Sequence, residues 1–145
     1  MMKITAMLSM ILVFSVLTPA VPPNRQDGDD AFTAFAEKFR AAVKKGDQET
    51  IIKLSQFPIR MPGRVRSIKN AADLRLRYRD VFNKYTNAAM CFADPVYGKA
   101  SQDSDNPKVG GITCDSATAD WVSYNFKLTN TGWKFVQLSR DAMAD

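Results

Sequence analysis

The chain has 145 residues, a formal charge of +5 and no histidine. That length suits one domain with a buried core. The missing imidazole excludes Ser-His-Asp and Cys-His catalysis, an imidazole general base and any His-ligated metal.

Residues 1–20 read as a secretory signal. Lys3 supplies the cationic start, and Ile4 to Leu17 is interrupted only by Thr5, Ser9 and Ser15. Thr18-Pro19-Ala20 gives the small-residue exit. The run is shorter than the 20 or so apolar residues that span a bilayer. The sequence therefore predicts a secreted or periplasmic protein with no stable membrane insertion after cleavage at Ala20. Residues 21–30 hold Pro22, Pro23, Gly28 and three acids, and read as a tether. The domain is expected over 31–140, with 141–145 frayed.

Phe32, Phe35, Ala36, Phe39 and Val43 form one apolar stripe, which predicts a helix of about four turns capped by Asp29 or Asp30. Gly46 ends it, and Asp47 caps a short second helix carrying Ile51, Ile52 and Leu54. Phe57-Pro58 is expected to stop that helix. Ile59-Arg60-Met61 and Arg64-Val65-Arg66 read as two short strands around Pro62-Gly63, in an edge position. Asn70 caps a third helix, with Leu74, Tyr78, Val81, Phe82 and Tyr85 along one stripe.

From Met90 the pattern changes to strands. Met90-Cys91-Phe92 reads as a short apolar strand, and 94–107 as a mobile polar loop. Val109 to Cys114 reads as a strand loosened by Gly110-Gly111. In the next strand Val122, Tyr124, Phe126 and Leu128 share a face. Thr129-Asn130-Thr131-Gly132 is a hairpin turn. The returning strand carries Trp133 and Phe135 on one face, Val136 and Leu138 on the other. Helices followed by an antiparallel meander predict an α+β domain, with N-terminal helices packed on a curved antiparallel sheet.

The two cysteines, Cys91 and Cys114, read as a disulfide in an oxidising compartment. The loop would span about 23 residues and contribute roughly 3 kcal/mol. Two thiols without a histidine do not complete a tetrahedral metal site. No P-loop or dinucleotide fingerprint is present, so no cofactor is expected. Between Arg60 and Arg79 seven cations face Asp73 alone. Such a cluster attracts anions, but the simpler reading is a set of solvated helix and strand faces. Tyr78 is its one interleaved aromatic, which argues against nucleic acid.

Several of these segments resemble the NTF2-like superfamily, the cystatin-like α+β cone. They are the Phe-rich first helix closing in Val43-Lys44-Lys45-Gly46-Asp47, the run Leu54-Ser55-Gln56-Phe57-Pro58, and Ser67-Ile68-Lys69 leading to Tyr78. The hairpin of Tyr124-Asn125-Phe126 and Gly132-Trp133-Lys134-Phe135 completes the resemblance, which covers about residues 30–140. It implies a cone with one open mouth, and a homodimer through the sheet. The superfamily holds isomerases, dehydratases, cyclases, adaptors and ligand-binding domains, so the fold alone does not select a function.

Three functions compete. The first is a non-catalytic binding domain holding a small molecule, peptide or envelope fragment. Tyr78, Tyr124 and Trp121 would line the mouth, and Arg60, Arg64 and Arg66 would charge the rim. The second is a periplasmic interaction or accessory domain of the inhibitor or immunity type, which a large apolar patch on the sheet would favour. The third is a histidine-free enzyme pairing Asp73 or Asp120 with Tyr78 or Tyr124.

Overall fold

The computed structural model describes residues 26–115 and 120–142. The export segment 1–20, the first half of the tether and residues 143–145 lie outside the described residues. Helix α1 (Gln26–Lys45) starts inside the stretch expected to be a tether, so neither Asp29 nor Asp30 is its cap. Its stripe holds as expected: Phe32, Phe35, Ala36, Phe39 and Val43 are all buried. Helix α2 (Gln48–Lys53) is capped by Asp47, which accepts from the Thr50 N–H at 3.0 Å.

Strand β1 (Ser55–Arg60) begins before Phe57-Pro58, so the helix has already ended at Lys53. It pairs antiparallel with β2 (Ser67–Ile68), with Ile59 opposite Ile68 and Arg60 opposite Ser67. The expected hairpin is present, but its second strand lies beyond Arg64-Val65-Arg66. Pro62 sits in the connection, where no ladder bond is lost.

The third helix is broken in two at Arg77: α3 (Ala71–Leu76) and α4 (Tyr78–Phe82). Asn70 caps α3 by accepting from the Asp73 N–H at 2.9 Å, and Asp73 reaches back to the Lys69 N–H at 2.9 Å. The first bond satisfies an open helix donor, and the second ties the helix start to the residue before its cap. Leu74 from α3 and Val81 and Phe82 from α4 are all buried in the core, as their shared stripe predicts.

Two further expectations are corrected. Residues 88–93 form helix α5 (Ala88–Ala93), not a strand. Asn87 caps it, and helical spacing puts Ala88, Cys91 and Phe92 on the buried side. Within the supposed loop runs β3 (Gly98–Gln102), an edge strand whose residues carry no apolar alternation. It pairs with β4 (Val109–Asp115), Gly98 facing Cys114. The remaining strands are β5 (Asp120–Thr129) and β6 (Gly132–Ala142), so Asp141 and Ala142 continue the sheet instead of fraying.

The sheet order is β2-β1-β6-β5-β4-β3. Its pairs are antiparallel except β1 with β6, which run parallel, so the sheet is mixed. A bulge on β6 alters the expected faces. Phe126 pairs with Phe135 while Asn125 pairs with Gln137, leaving Val136 as the extra residue. The bulge shifts the alternation by one. Trp133, Phe135 and Leu138 are therefore all buried, whereas Leu128 at the strand end is exposed.

Cys91 and Cys114 are joined, with Cα atoms 5.9 Å apart. The bond ties α5 to β4, and Gly98 fits beneath it. A Cβ at Gly98 would lie 2.5 Å from the Cys91 carbonyl oxygen. Gly110 likewise makes room for a ring: its Cβ would fall 2.6 Å from Cε2 of Phe32. The double variant Cys91→Ala/Cys114→Ala is expected to lose about 3 kcal/mol in urea unfolding. Wild type with reductant should approach it. Coincident curves for oxidised wild type and variant would contradict the tie.

Candidate functional site

The space between helices and sheet is filled by aromatic rings. Phe39 lies centrally, 5.0 Å from Phe126 and 5.3 Å from Phe135, centroid to centroid. Phe82 and Tyr124 stack at 5.7 Å, and Phe92 meets the Tyr124 ring edge-on at 5.1 Å. Tyr124 is 0% exposed and donates its hydroxyl to the Val81 carbonyl at 3.2 Å. Burial pushes that hydroxyl far above the ordinary tyrosine range. Tyr78 is half-buried against Phe82 at 4.8 Å, and burial raises its pKa as well.

Among the described residues no Asp or Glu is buried. Asp73 sits at the start of α3. The Lys69 N–H, and then Arg77 at 2.9 Å, hold its carboxyl below the usual range. Its lowered pKa makes it a weaker proton acceptor than an ordinary carboxylate, whereas a general base is tuned upward toward the working pH. The side chain of Asp120 lies outside the described residues.

Alternation along β5 turns Val122, Tyr124 and Phe126 inward and Trp121, Ser123 and Asn125 outward. Trp121 therefore faces away from Tyr124, and the structure does not bring these two together. The outer face is polar in its middle. Thr113 and Ser123 share a hydroxyl hydrogen bond of 3.1 Å, and Asn125 donates to Ser139 at 2.9 Å.

At its β3–β5 end this outer face changes character. Trp121 is 40% exposed and Tyr97 62% exposed, and they wall a cleft of about 430 Å³ with Val96. Its floor carries Lys99, Ser101, Thr113 and Asp115. A second cleft of about 250 Å³ continues past Tyr97 and Asp115 to Met90 and the disulfide at Cys91. Apolar walls thus stand over hydroxyls and two opposite charges.

The edge beside the cleft is partly open. Asp103 donates its N–H to the Val109 carbonyl at 2.9 Å, which sets the phase of the β3–β4 ladder. By antiparallel alternation Lys99 and Ser101 bond to β4, and Gly98, Ala100 and Gln102 point to the edge. Gly98 is already satisfied there: its N–H reaches the Asp94 carbonyl and Arg40 donates to its oxygen. The main-chain groups of Ala100 and Gln102 remain directed at the open edge.

Arg60, Arg64 and Arg66 lie on the β1–β2 hairpin at the far side of the sheet, exposed and remote in strand order from Trp121. The structure thus divides the six expected binding residues among core, outer cleft and opposite edge. Val96, Tyr97, Met90 and Lys99 escaped sequence reading because their segments were assigned to a loop and a strand. The signal was there in Val96-Tyr97, two large apolar residues set in a polar run.

No family model and no curated protein matches the chain in sequence. Solved structures do match in shape. One is a domain of unknown function with a cystatin-like fold from Nostoc punctiforme, with a TM-score of 0.50 at 11% identity over 84% of this chain and 81% of that one. Another is an NTF2-like protein with a cystatin-like fold from Novosphingobium aromaticivorans (TM-score 0.44, 11% identity, 81% and 83% covered). A ketosteroid isomerase-like protein from Erwinia carotovora atroseptica also matches (TM-score 0.44, 12% identity, 80% and 96% covered). At 11% identity the likeness to the Nostoc punctiforme domain is one of fold alone. The chain has the cystatin-like α+β fold, as its sequence led one to expect.

Two variants check this geometry. Tyr124→Phe removes the hydroxyl from the Val81 carbonyl and should cost about 1 kcal/mol in chemical unfolding. No loss would mean that the hydroxyl is not bonded there. Asp73 titrates lower folded than unfolded, so it stabilises the fold above the unfolded pKa. That stabilisation fades as pH falls through the folded one. Asp73→Asn should therefore lower the urea midpoint at neutral pH and converge with wild type in acid. Equal gaps at both ends would contradict the assignment.

Proposed function

We propose that this chain is an exported, non-catalytic binding domain that holds an extended peptide segment of a protein partner. The contact surface is the outer cleft between Tyr97 and Trp121, continued by the open edge at Ala100 and Gln102. The carrying observation is the position of Trp121, exposed on the wall of a cleft of about 430 Å³ while the cone interior is occupied by rings.

A peptide fits the chemistry of this surface. An edge strand offers main-chain donors and acceptors, which give affinity without sequence preference. Alternate side chains of an added strand would stand beside Lys99 and Ser101, over the cleft. There Tyr97 and Trp121 suit one large apolar side chain. Lys99 and Asp115 suit one charge of either sign on the partner.

Two features support export. Lys3, the apolar run to Leu17 and Ala20 have the form of a signal. The Cys91–Cys114 bond is buried in the domain and consistent with an oxidising compartment. No helix among the described residues is long and apolar enough to cross a membrane.

Selection from a random displayed peptide library tests the reading. Enriched peptides should carry a large apolar residue and quench or shift Trp121 emission. Trp121→Ser should weaken them about tenfold or more, as truncation of an aromatic anchor does. Tyr97→Ser should act in the same direction. Peptides that bind both variants as well as wild type would refute the site. A dimer dissociated by Trp121→Ser would give this face to a second copy.

A further inference from the structure

We infer that the opposite end of the sheet is a lipid-facing surface, which docks on an anionic bilayer through the β1–β2 hairpin and α3. This inference is independent of the peptide cleft. It begins with how the cations of residues 60–79 are used. Arg75 is paired with Glu49 at 2.7 Å, and Arg77 with Asp73 at 2.9 Å and Asp80 at 3.8 Å. Among the described residues, Arg60, Arg64 and Arg66 have no such partner and are exposed. They follow one another around a single hairpin, whose neck is closed by the Met61 N–H on the Arg66 carbonyl at 3.0 Å.

The second observation is Leu76. At 83% exposure it is the most exposed large apolar residue described. It shares a shallow cleft with Ser67, Lys69 and Arg77. Ser67 is the register partner of Arg60, so Leu76 and the hairpin belong to one continuous surface. The cleft also holds the Arg77–Asp73 pair, so its charge outside that pair is Lys69. An exposed aliphatic side chain on the same surface as the unpaired hairpin arginines suits the boundary between headgroups and acyl chains. Arginine binds a phosphate through two parallel N–H bonds, which lysine does not.

Charge elsewhere supports one orientation. The far edge of the sheet carries Asp94, Asp103, Asp105 and Asp115, against Lys99 and Lys108. Six strands set these edges about 24 Å apart, well beyond a Debye length of roughly 8 Å in physiological salt. An anionic surface therefore attracts one edge and repels the other. The docked molecule turns its aromatic cleft away from the lipid.

The aromatic residues near the hairpin argue for lipid over nucleic acid. Tyr85 donates to the Pro62 carbonyl at 3.2 Å, and Lys84 and Arg140 lie over its ring. Tyr78 is packed on Phe82. Both rings are thus already engaged within the fold, whereas single-stranded binding uses exposed aromatic platforms.

Vesicle co-sedimentation of the protein recovered after export in a bacterial host tests the inference. Vesicles of phosphatidylcholine with about a third phosphatidylglycerol are compared with phosphatidylcholine alone, so that the difference reads charge. The anionic vesicles should bind the protein in 0.1 M salt and release it toward 1 M. Arg60→Ser/Arg64→Ser/Arg66→Ser should reduce partitioning on the order of a hundredfold, and Leu76→Ser roughly tenfold, at unchanged thermal midpoints. Equal partitioning on both vesicle types, or a triple variant that sediments like wild type, overturns the inference. Leu76→Ser without effect also overturns it, since charge alone does not select lipid over other polyanions. A wild type that ignores vesicles and shifts a DNA duplex overturns it in favour of nucleic acid.

Discussion

The ring of Phe39 lies 5.0 to 6.2 Å from those of Phe35, Phe82, Phe92, Phe126 and Phe135. These partners come from α1 itself, α4, α5, β5 and β6. One side chain thus sets the depth at which four separate elements meet the first helix. Rings at these spacings contribute beyond the area they bury. The same packing has a functional consequence. A cone filled by its own aromatics gives its interior to stability, so the proposed recognition uses the surface.

That surface is divided by the sheet. Strand order puts the basic hairpin at one edge and the aromatic cleft at the other. The polar middle, with its Thr113–Ser123 and Asn125–Ser139 bonds, separates them. The parallel pairing of β1 with β6 creates this separation. It carries the N-terminal hairpin to the far side of the C-terminal meander, and the Phe135 N–H on the Leu54 carbonyl at 2.8 Å marks the join. The disulfide acts at the opposite end. It holds α5 against β4, so Met90 and Tyr97 keep their places along the second cleft.

Much of this fold was legible in the sequence. The stripe of α1, the caps at Asp47 and Asn70, the β5–β6 hairpin and the cysteine pair all rest on local rules of spacing and turn chemistry. The misreadings share a different cause. The three residues Met90-Cys91-Phe92 are too few to distinguish a period of 2 from one of 3.6. Strand β3 has no apolar alternation because it is an edge, and its pairing is dictated by β4. The bulge at Val136 depends on the partner strand, so Phe135 and Leu138 share a face that their own sequence assigns to opposite sides. The residues of the proposed site were harder still. Tyr124 and Trp121 both look like aromatic ligand contacts, and only strand alternation in the folded sheet separates core from cleft. Leu76 drew no notice because it lies off the apolar stripe of its helix.

The central claim is that the interior is closed and the outer cleft is the accessible apolar site. NMR titration with benzene as a small apolar probe tests it most directly. The account predicts shifts at the Trp121 indole and the Tyr97 ring, with Phe39, Phe82, Tyr124 and Phe135 unmoved. Shifts centred on Tyr124 and Phe82, with Trp121 silent, would mean that the cone opens to ligands and would return the binding site to its interior.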